Sequence, residues 1–447
     1  MSTKSDIFQD IAQVKDAISD LMELSKKYGA TSAEAVISKS KGITVSSRCQ
    51  ELENIEFNQE GALGISVYVG QHKGSASTAD LSHEALEQAT KAAIDIAKYT
   101  SADEFAGLVD ASQLATDIQD LDLFHPHQIE PEQAIEYCIE AEKHAFETDS
   151  KITNSDGASL SSYQGFKVYG NSLGFVEGYP STRHSLSCSV IAQSEQEMQR
   201  DYAYTVDRIF SNLDAASTVG QKAAKSALAM LDAQKLDTCQ VPVLFDAEIA
   251  STLFGHLVTA ISGSSLYRKS SFLMDSLGTQ IFPDFVTIEE RPHIMQGLAS
   301  SPFDSEGVIT KDRNIIEAGT LTTYLLTGYS GRKLGMPTTG HAGGIHNWLV
   351  KATDKDKQAL LKKMDRGLYV TELMGQGVNT VTGDYSRGAA GFWVENGEIQ
   401  FPVSEVTIAG NLKDMFKQIV AIGGDIERRG AVQTGSILIE NMQLAGN

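Results

Sequence analysis

The alternation between helical and strand-like periodicity constrains the fold of this chain most strongly. Amphipathic helical segments are predicted at 6–28, 82–98, about 131–148 and 215–233, and the stretches between them favour strands. These helices and strands do not follow the regular strand–helix–strand rhythm that a doubly wound parallel sheet needs. The sequence therefore predicts an α+β fold.

Capping residues and glycines refine the first half. Asp6 is a suitable cap for the first helix, Gly29 is expected to end it, and Ser82 is a suitable cap for the second. Strand-like runs lie at 35–37, 43–45 and 64–69, with more strands between 150 and 205. Turns are expected at Gly61, Gly70 and Gly74. The first half is therefore predicted to be an N-terminal α/β domain covering residues 1–234.

The second half contains many short strand-like runs separated by glycines. Helices are predicted at about 247–262 and 411–421, and the strand-like runs are 307–310, 321–326, 391–394, 399–403 and a closing run at 436–439. Such spacing is typical of a curved or barrel-like sheet. We therefore expect a β-rich C-terminal domain with a few helices at 235–447.

Charge and cysteine usage narrow the classes of function. The 447 residues include 37 Lys and Arg against 58 Asp and Glu, which gives a net charge of 37 − 58 = −21 and argues against a nucleic-acid or anionic-membrane surface. The four cysteines form no CxxC pair, which is typical of a reduced, cytoplasmic protein. The N-terminus has no signal-peptide pattern, and no long apolar run predicts a membrane span.

The common metal and nucleophile motifs are missing or incomplete. The sequence has no phosphate-binding loop of the GxxxxGK[ST] type and no GxSxG nucleophile elbow. His83-Glu84 could begin a zinc-binding HExxH helix, but Glu87 stands where the second histidine is needed. His125-Pro126-His127 is better explained as a polar loop. No metal ligand is therefore assigned to this chain.

Two loop segments in the second half carry candidate substrate-binding residues. His341 and His346 flank the flexible Ala342-Gly343-Gly344, and glycines permit close approach of a ligand. Asp304 and Glu306 could perform acid–base chemistry if their environments separate their pKa values. The alternatives are turn structure for the histidines and loop capping for the carboxylates.

Tyr385 and Arg387, in the segment 382–388, are further candidates for substrate binding. The alternative is a capped turn that carries a surface arginine.

Five sequence blocks together resemble the PmbA/TldE branch of the TldD/PmbA peptidase family. They extend from the first domain to the C-terminus and comprise GALGISVYVGQHKGSASTADLS (61–82), SSPFDSEGV (300–308), YSGRKLGMPTTGHAGG (329–344), GDYSRGAAGFWVENGEI (383–399) and the stretch from IAGNLKDMF to the end. The resemblance implies two domains, the second rich in strands. In the companion TldD branch, an HExxxH helix and a cysteine near the C-terminus form a zinc site.

This chain departs from the TldD pattern at each of those positions. Gly255 stands at the first histidine, His256 at the glutamate and Ala260 at the second histidine, while the cysteine position falls near Ala431. The resemblance therefore implies a chain that binds no cofactor, with zinc expected in a TldD-type partner. His256 is kept as a candidate substrate contact, and a polar helix residue is the alternative.

Three functions remain open at this point. The first is the metal-free subunit of a TldD/TldE-like cytoplasmic zinc metallopeptidase that acts on unfolded or extended peptides; by resemblance these include microcin precursors and an antitoxin, and peptide could add to exposed strand edges of the β-rich domain. The second is a stand-alone hydrolase that uses another constellation. The third is a non-enzymatic peptide-binding homodimer. A homodimer is also expected for the isolated chain.

Overall fold

The computed structural model describes residues 4–446. The first half forms four helices and six strands in the order α1 Lys4–Lys27, β1 Ser32–Arg48, β2 Glu51–Val69, β3 His72–Thr78, α2 His83–Tyr99, α3 Pro131–Phe146, β4 Ile152–Asn171, β5 Val176–Gln193, β6 Met198–Asp207 and α4 Ala216–Ala229. The six strands make one antiparallel sheet with the order β3-β2-β1-β4-β5-β6.

All four helices pack on one face of this sheet. Ala35 and Ile37 of β1 are buried under α1 and α2, and Ile43 and Val45 of the same strand are buried under α3. Alternate residues of a strand share a face, so the two hydrophobic clusters lie side by side on that face. Gly74 of β3 is required there, because a Cβ would lie 1.9 Å from the backbone oxygen of Ala93 in α2.

The second half forms five helices and eleven strands within the described part of the chain. They are β7 Cys239–Phe245, α5 Ala247–Ile261, α6 Gly263–Tyr267, β8 Ile288–Glu290, β9 Arg313–Glu317, β10 Thr320–Leu321, α7 Gly328–Leu334, β11 Trp348–Val350, α8 Lys357–Met364, β12 Gly367–Met374, β13 Asp384–Glu395, β14 Glu398–Asn411, α9 Leu412–Lys417, β15 Ile419–Ile422, β16 Val432–Gln433 and β17 Ile437–Ala445. Five short strands form a sheet with the order β10-β9-β8-β11-β16.

The longer strands of the second half close into a barrel. Their order is β14-β13-β12-β7-β17-β15, and β17 also pairs with β14, from Thr407 opposite Ala445 to Ala409 opposite Gln443. Closure covers the edges of β14 and β17 along these paired residues. Helix α5 and the barrel strands share the largest hydrophobic cluster, which contains Phe245, Phe254 and Tyr385. The expected barrel-like domain is confirmed.

The predicted α+β class is confirmed, and most errors concern short elements. The three strand runs before residue 70 belong to two long strands, and Gly61 and Gly74 lie inside strands rather than in turns. The run 307–310 is a loop with isolated bridges, and only Leu321 of the run 321–326 belongs to a strand. Helix α1 begins at Lys4, so Asp6 lies in its first turn. Ser82 caps α2 as predicted.

The second half contacts the sheet face opposite the four helices. There Tyr169 and Phe175 pack against Phe303 and Val308. The buried guanidinium of Arg208 also joins the two halves, because it donates hydrogen bonds to the backbone oxygens of Thr182, Gly297 and Leu298. No helix in residues 4–446 is long and apolar enough to cross a membrane.

Candidate functional site around helix α5

Helix α5 presents one open face and one packed face. Asp246 caps it by accepting a hydrogen bond from the backbone N–H of Glu248 at 3.0 Å. Leu253, Phe254 and Leu257 bury the opposite side in the barrel core. Gly255 is exposed, and a Cβ there would meet nothing within 4 Å.

The positions that correspond to HExxxH do not form a zinc site. Gly255 has no ligand atom and faces open space, whereas Ala260 is fully buried. A histidine at position 260 would therefore be directed into packed side chains rather than toward the space beside Gly255. Within residues 4–446, no three His, Cys, Asp or Glu side chains are grouped so that they could hold a metal ion. The residues present do not fit the metal of the companion branch.

His256 instead packs against Tyr385 of β13 and lies near the charge of Arg387 on the same strand. Tyr385 and Arg387 are two positions apart on that strand, so their side chains project from the same face. The rings of His256 and Tyr385 meet edge to face with centroids 6.0 Å apart. Tyr385 is only 1% exposed. Three of the six predicted site residues, His256, Tyr385 and Arg387, thus lie in one cluster. Tyr385 and Arg387 lie on a strand rather than in the capped turn that was the alternative.

Polar atoms without partners are concentrated in this cluster. Four buried side-chain atoms in the described residues lack a hydrogen-bond partner, and three of them are His256 Nε2, Tyr385 Oη and Arg387 Nε. A buried polar group without a partner costs about 1–3 kcal/mol. Three such groups in one cluster therefore indicate a site that is organised for a partner from outside the chain.

The cluster carries positive charge at neutral pH. Burial lowers the pKa of His256, and the nearby Arg387 lowers it further, so the imidazole is neutral. Burial raises the pKa of Tyr385 to about 12, although the charge of Arg387 and a hydrogen bond from it oppose this shift, so the hydroxyl keeps its proton. Arg387 is thus the only charged group of the three, and it is a hydrogen-bond donor with no acceptor atom.

Asp304 and Glu306 lie in a second cluster, where the two halves of the chain meet. The carboxylate of Asp304 accepts hydrogen bonds from the backbone N–H groups of Glu306, Val308 and Ala342 at 2.8–2.9 Å. This is the loop-capping arrangement that the sequence left as the alternative. Glu306 accepts from the backbone N–H of Gly328 at 2.7 Å.

Glu306 titrates in an unusual range. Burial raises its pKa to about 7, and the charges of Asp304 and Glu34 add to this shift. Glu34 belongs to β1 and accepts hydrogen bonds from the hydroxyls of Tyr68 and Tyr169. Two carboxylates from different halves of the chain therefore lie near each other in a partly buried interface.

His341 and His346 belong to a third, buried network centred on Glu290. His341 Nε2 lies 3.0 Å from the Glu290 carboxylate, and its Nδ1 lies 2.8 Å from Thr339 Oγ1. The Nε2 atom of His346 contacts the backbone oxygen of Gly340 at 3.2 Å. Both ring nitrogens of His341 thus have protein partners, and neither histidine contacts the α5 cluster through these bonds. The network holds the glycine-rich loop between them.

A groove lies along the C-terminal half of α5. Val258 and Ser262 of the helix line a cavity of about 240 Å³, together with Tyr267, Tyr329 and His341. Its walls combine hydroxyls and aromatic rings with aliphatic side chains and two glycines, which suits an uncharged extended chain more than a metal or a nucleotide.

Sequence reasoning missed several residues that organise these clusters. Glu290 is fully buried and shares the inward face of β8 with Ile288, so strand alternation was the available signal. Arg332 donates to the backbone oxygens of residues 105, 107 and 108, and Arg429 donates to Tyr204 and to Glu248 of α5. Neither arginine lies in a motif that marks such a role.

The fold and this cluster define an α+β protein with a metallopeptidase-like helix that lacks a metal ligand set. Three family models match the chain: "PmbA/TldA metallopeptidase domain 1" at 33–97, the central domain at 124–231 and the C-terminal domain at 238–446. The chain belongs to the PmbA/TldD metallopeptidase family.

Relatives of known sequence or structure agree with this assignment. The chain is 55% identical to "Metalloprotease PmbA" of Escherichia coli O157:H7, over 97% of this chain and 96% of that one. It is 54% identical to "Metalloprotease PmbA homolog" of Haemophilus influenzae over the same shares. A solved structure of a proposed modulator of DNA gyrase from Bacteroides thetaiotaomicron covers 100% of both chains with a TM-score of 0.92 and 28% identity. TldE from Thermococcus kodakarensis shares the fold, with a TM-score of 0.85, 20% identity, and 96% and 100% of the two chains covered.

Proposed function

We propose that this chain is the metal-free subunit of a cytoplasmic zinc metallopeptidase that acts on unfolded or extended peptides. Its partner would be a TldD-type paralogue that carries the HExxxH helix and the zinc ion. This chain would shape the substrate channel and hold peptide while the partner cleaves it.

One observation carries the proposal. At the position of the family's metal-binding helix, Gly255 faces open space, Ala260 is packed in the core, and burial together with the nearby charge of Arg387 lowers the pKa of His256. A fixed cation beside the imidazole disfavours a divalent cation there. The fold of a metallopeptidase is thus retained around a helix that cannot perform the metal chemistry, which is the arrangement expected of a partner subunit.

Free strand edges support the peptide-holding role. They lie in the N-terminal sheet, whereas the sequence analysis expected them in the β-rich C-terminal domain. Barrel closure covers part of the edge of β14, the longest C-terminal strand. In the N-terminal sheet, however, β3 pairs only with residues 63–69 of β2. Residues 51–61 of β2 therefore form an outer edge to which no strand is paired within the described residues. An extended peptide could add there through backbone hydrogen bonds.

The cytoplasm is the proposed compartment because all four cysteines are free thiols, two of them buried. Burial raises the pKa of Cys138 and of Cys188 to about 12, so both remain unreactive thiols.

The proposal is tested by cleavage of an unstructured peptide by the purified chain, by a TldD-type paralogue and by their mixture. We expect cleavage that requires the mixture, with zinc bound by the paralogue. Cleavage by this chain alone would favour the stand-alone hydrolase. No stimulation of the paralogue, together with a stable homodimer that binds peptide, would favour the non-enzymatic alternative.

A further inference from the structure

We propose that Arg387, Tyr385 and His256 form a binding site for a carboxylate group of the peptide substrate. The carboxylate is either the C-terminus of the peptide or an Asp or Glu side chain. This inference rests on the proposed function, because it assumes that this subunit holds peptide, and it adds a chemical preference to that role.

Unsatisfied hydrogen-bonding capacity is the first argument. The three side chains each have a buried polar atom without a well-formed hydrogen bond. Arg387 lies near enough to the Tyr385 hydroxyl oxygen to lower its pKa through a hydrogen bond, and this leaves the O–H of Tyr385 to donate to another group. Arg387 can only donate, and Tyr385 keeps its proton at neutral pH and can therefore donate as well. A group with several acceptor lone pairs and no need to donate is the complement of this set, and a carboxylate is the common example in peptides.

Charge is the second argument. Arg387 is partly buried and donates to the backbone oxygen of Leu373 at 3.3 Å, and among the described residues no carboxylate forms an ion pair with it. A partly desolvated cation without a counter-ion is costly, and this cost is removed when an anion binds. A metal ion would be repelled, and a bound water would leave the charge unbalanced. The guanidinium also has the planar fork that pairs with both oxygens of a carboxylate.

Access is the third argument. Tyr385 closes the inner end of the cluster, whereas Arg387 and His256 are partly exposed. Gly255 lies next to His256 on the helix, and the space beyond its Cα is open. The groove formed by Val258 and Ser262 follows on the same helix. A peptide lying along α5 can therefore place its carboxylate at the cluster and its backbone in the groove.

The test compares three versions of one short unstructured peptide for binding to the full chain, measured by fluorescence anisotropy. The first has a free C-terminal carboxylate, the second a C-terminal amide, and the third a C-terminal amide with one internal glutamate. We expect the amide without glutamate to bind about 10- to 100-fold more weakly than at least one of the carboxylate peptides. Which carboxylate peptide binds tightly identifies the source of the group.

Variants locate the effect. R387Q is expected to reduce the binding of the carboxylate peptide to the level of the amide, and R387K to give an intermediate loss because it keeps the charge but not the fork. Y385F should weaken binding by a few fold. The matched control is R366Q, which removes an arginine that is exposed on the barrel and should leave binding unchanged.

An NMR titration of His256 provides a readout that a purely structural role would not change. A carboxylate bound beside Arg387 offsets its charge, so saturating carboxylate peptide should raise the pKa of His256, and the amide peptide should not.

Each outcome bears on a defined claim. Equal binding of all three peptides, unchanged binding in R387Q, or no binding of any peptide overturns the carboxylate site, and the cluster then holds water only. None of these results affects cleavage by the mixed subunits, which tests the proposed function separately. Conversely, carboxylate-dependent binding without any stimulation of a paralogue would support the site and contradict the subunit role.

Discussion

Replacing Glu306 with glutamine should change how the stability of the C-terminal half depends on pH. The carboxyl group has a pKa of about 7 in the folded protein, against an ordinary value of 4.5. Because the folded pKa is raised, the folded state binds the proton more tightly. The stabilisation from this group is complete below about pH 4.5 and is lost as pH rises through 7.

The magnitude follows from the two pKa values. The difference between a folded pKa of about 7 and the ordinary 4.5 corresponds to about 3 kcal/mol when both states are ionised, and about 2.5 kcal/mol of this is lost between pH 5 and pH 8. E306Q cannot ionise and lacks this loss. Its free energy of unfolding, relative to that of the wild type, should therefore be about 2.5 kcal/mol higher at pH 8 than at pH 5.

Urea unfolding monitored by tryptophan fluorescence measures this difference, because Trp348 and Trp393 both lie in the half that carries Glu306. Any constant cost of the substitution, such as a weaker bond to Gly328, cancels when the two pH values are compared. E398Q, at an exposed position of β14, is the matched control and should show no such change. A difference between E306Q and wild type that is the same at both pH values would refute the reasoning.

Three further substitutions test the packing around the site, each by the free energy of unfolding in urea at pH 7. E290Q should cost about 3–5 kcal/mol, because the buried carboxylate is the common partner of His341 and several other donors; a cost below 1 kcal/mol would contradict a central role for this network. R208K should cost about 1–3 kcal/mol, since lysine lacks the planar fork that donates to three backbone oxygens. An unchanged urea midpoint of unfolding would argue against this role of Arg208. Gly74→Ala should cost about 1–3 kcal/mol, because its Cβ would overlap the backbone of Ala93; stabilisation would show that α2 moves freely.

The long elements of the fold were predictable because their periodicity is local. The stripe of apolar residues in α1 and the Ser82 cap of α2 are set by neighbours in sequence, and both were found. The short strands were not, because a strand such as β11 exists only through partners far along the chain, for instance Trp348 opposite Val432. The run 307–310 has strand-like composition but lies in a loop capped by Asp304.

The candidate site shows the same division between local and distant information. The sequence singled out His256 from its place in the helix that corresponds to HExxxH, and Tyr385 and Arg387 as candidates in the segment 382–388. It did not show that they meet, because α5 and β13 are separated by more than a hundred residues and come together only through the strand order β13-β12-β7, since α5 directly follows β7. It also suggested equal roles for His341, whose ring nitrogens are in fact occupied by Glu290 and Thr339.

The central claim is that the TldD-type partner, and not this chain, cleaves the peptide, and disabling the partner tests it most directly. A TldD-type paralogue whose HExxxH glutamate is replaced by glutamine is mixed with the wild-type form of this chain, and cleavage of an unstructured peptide is measured beside assembly of the pair. The account predicts that the pair still assembles and binds peptide but that cleavage is lost. Cleavage at an appreciable fraction of the rate of the unmodified pair would show that this chain performs the reaction itself and would contradict the account.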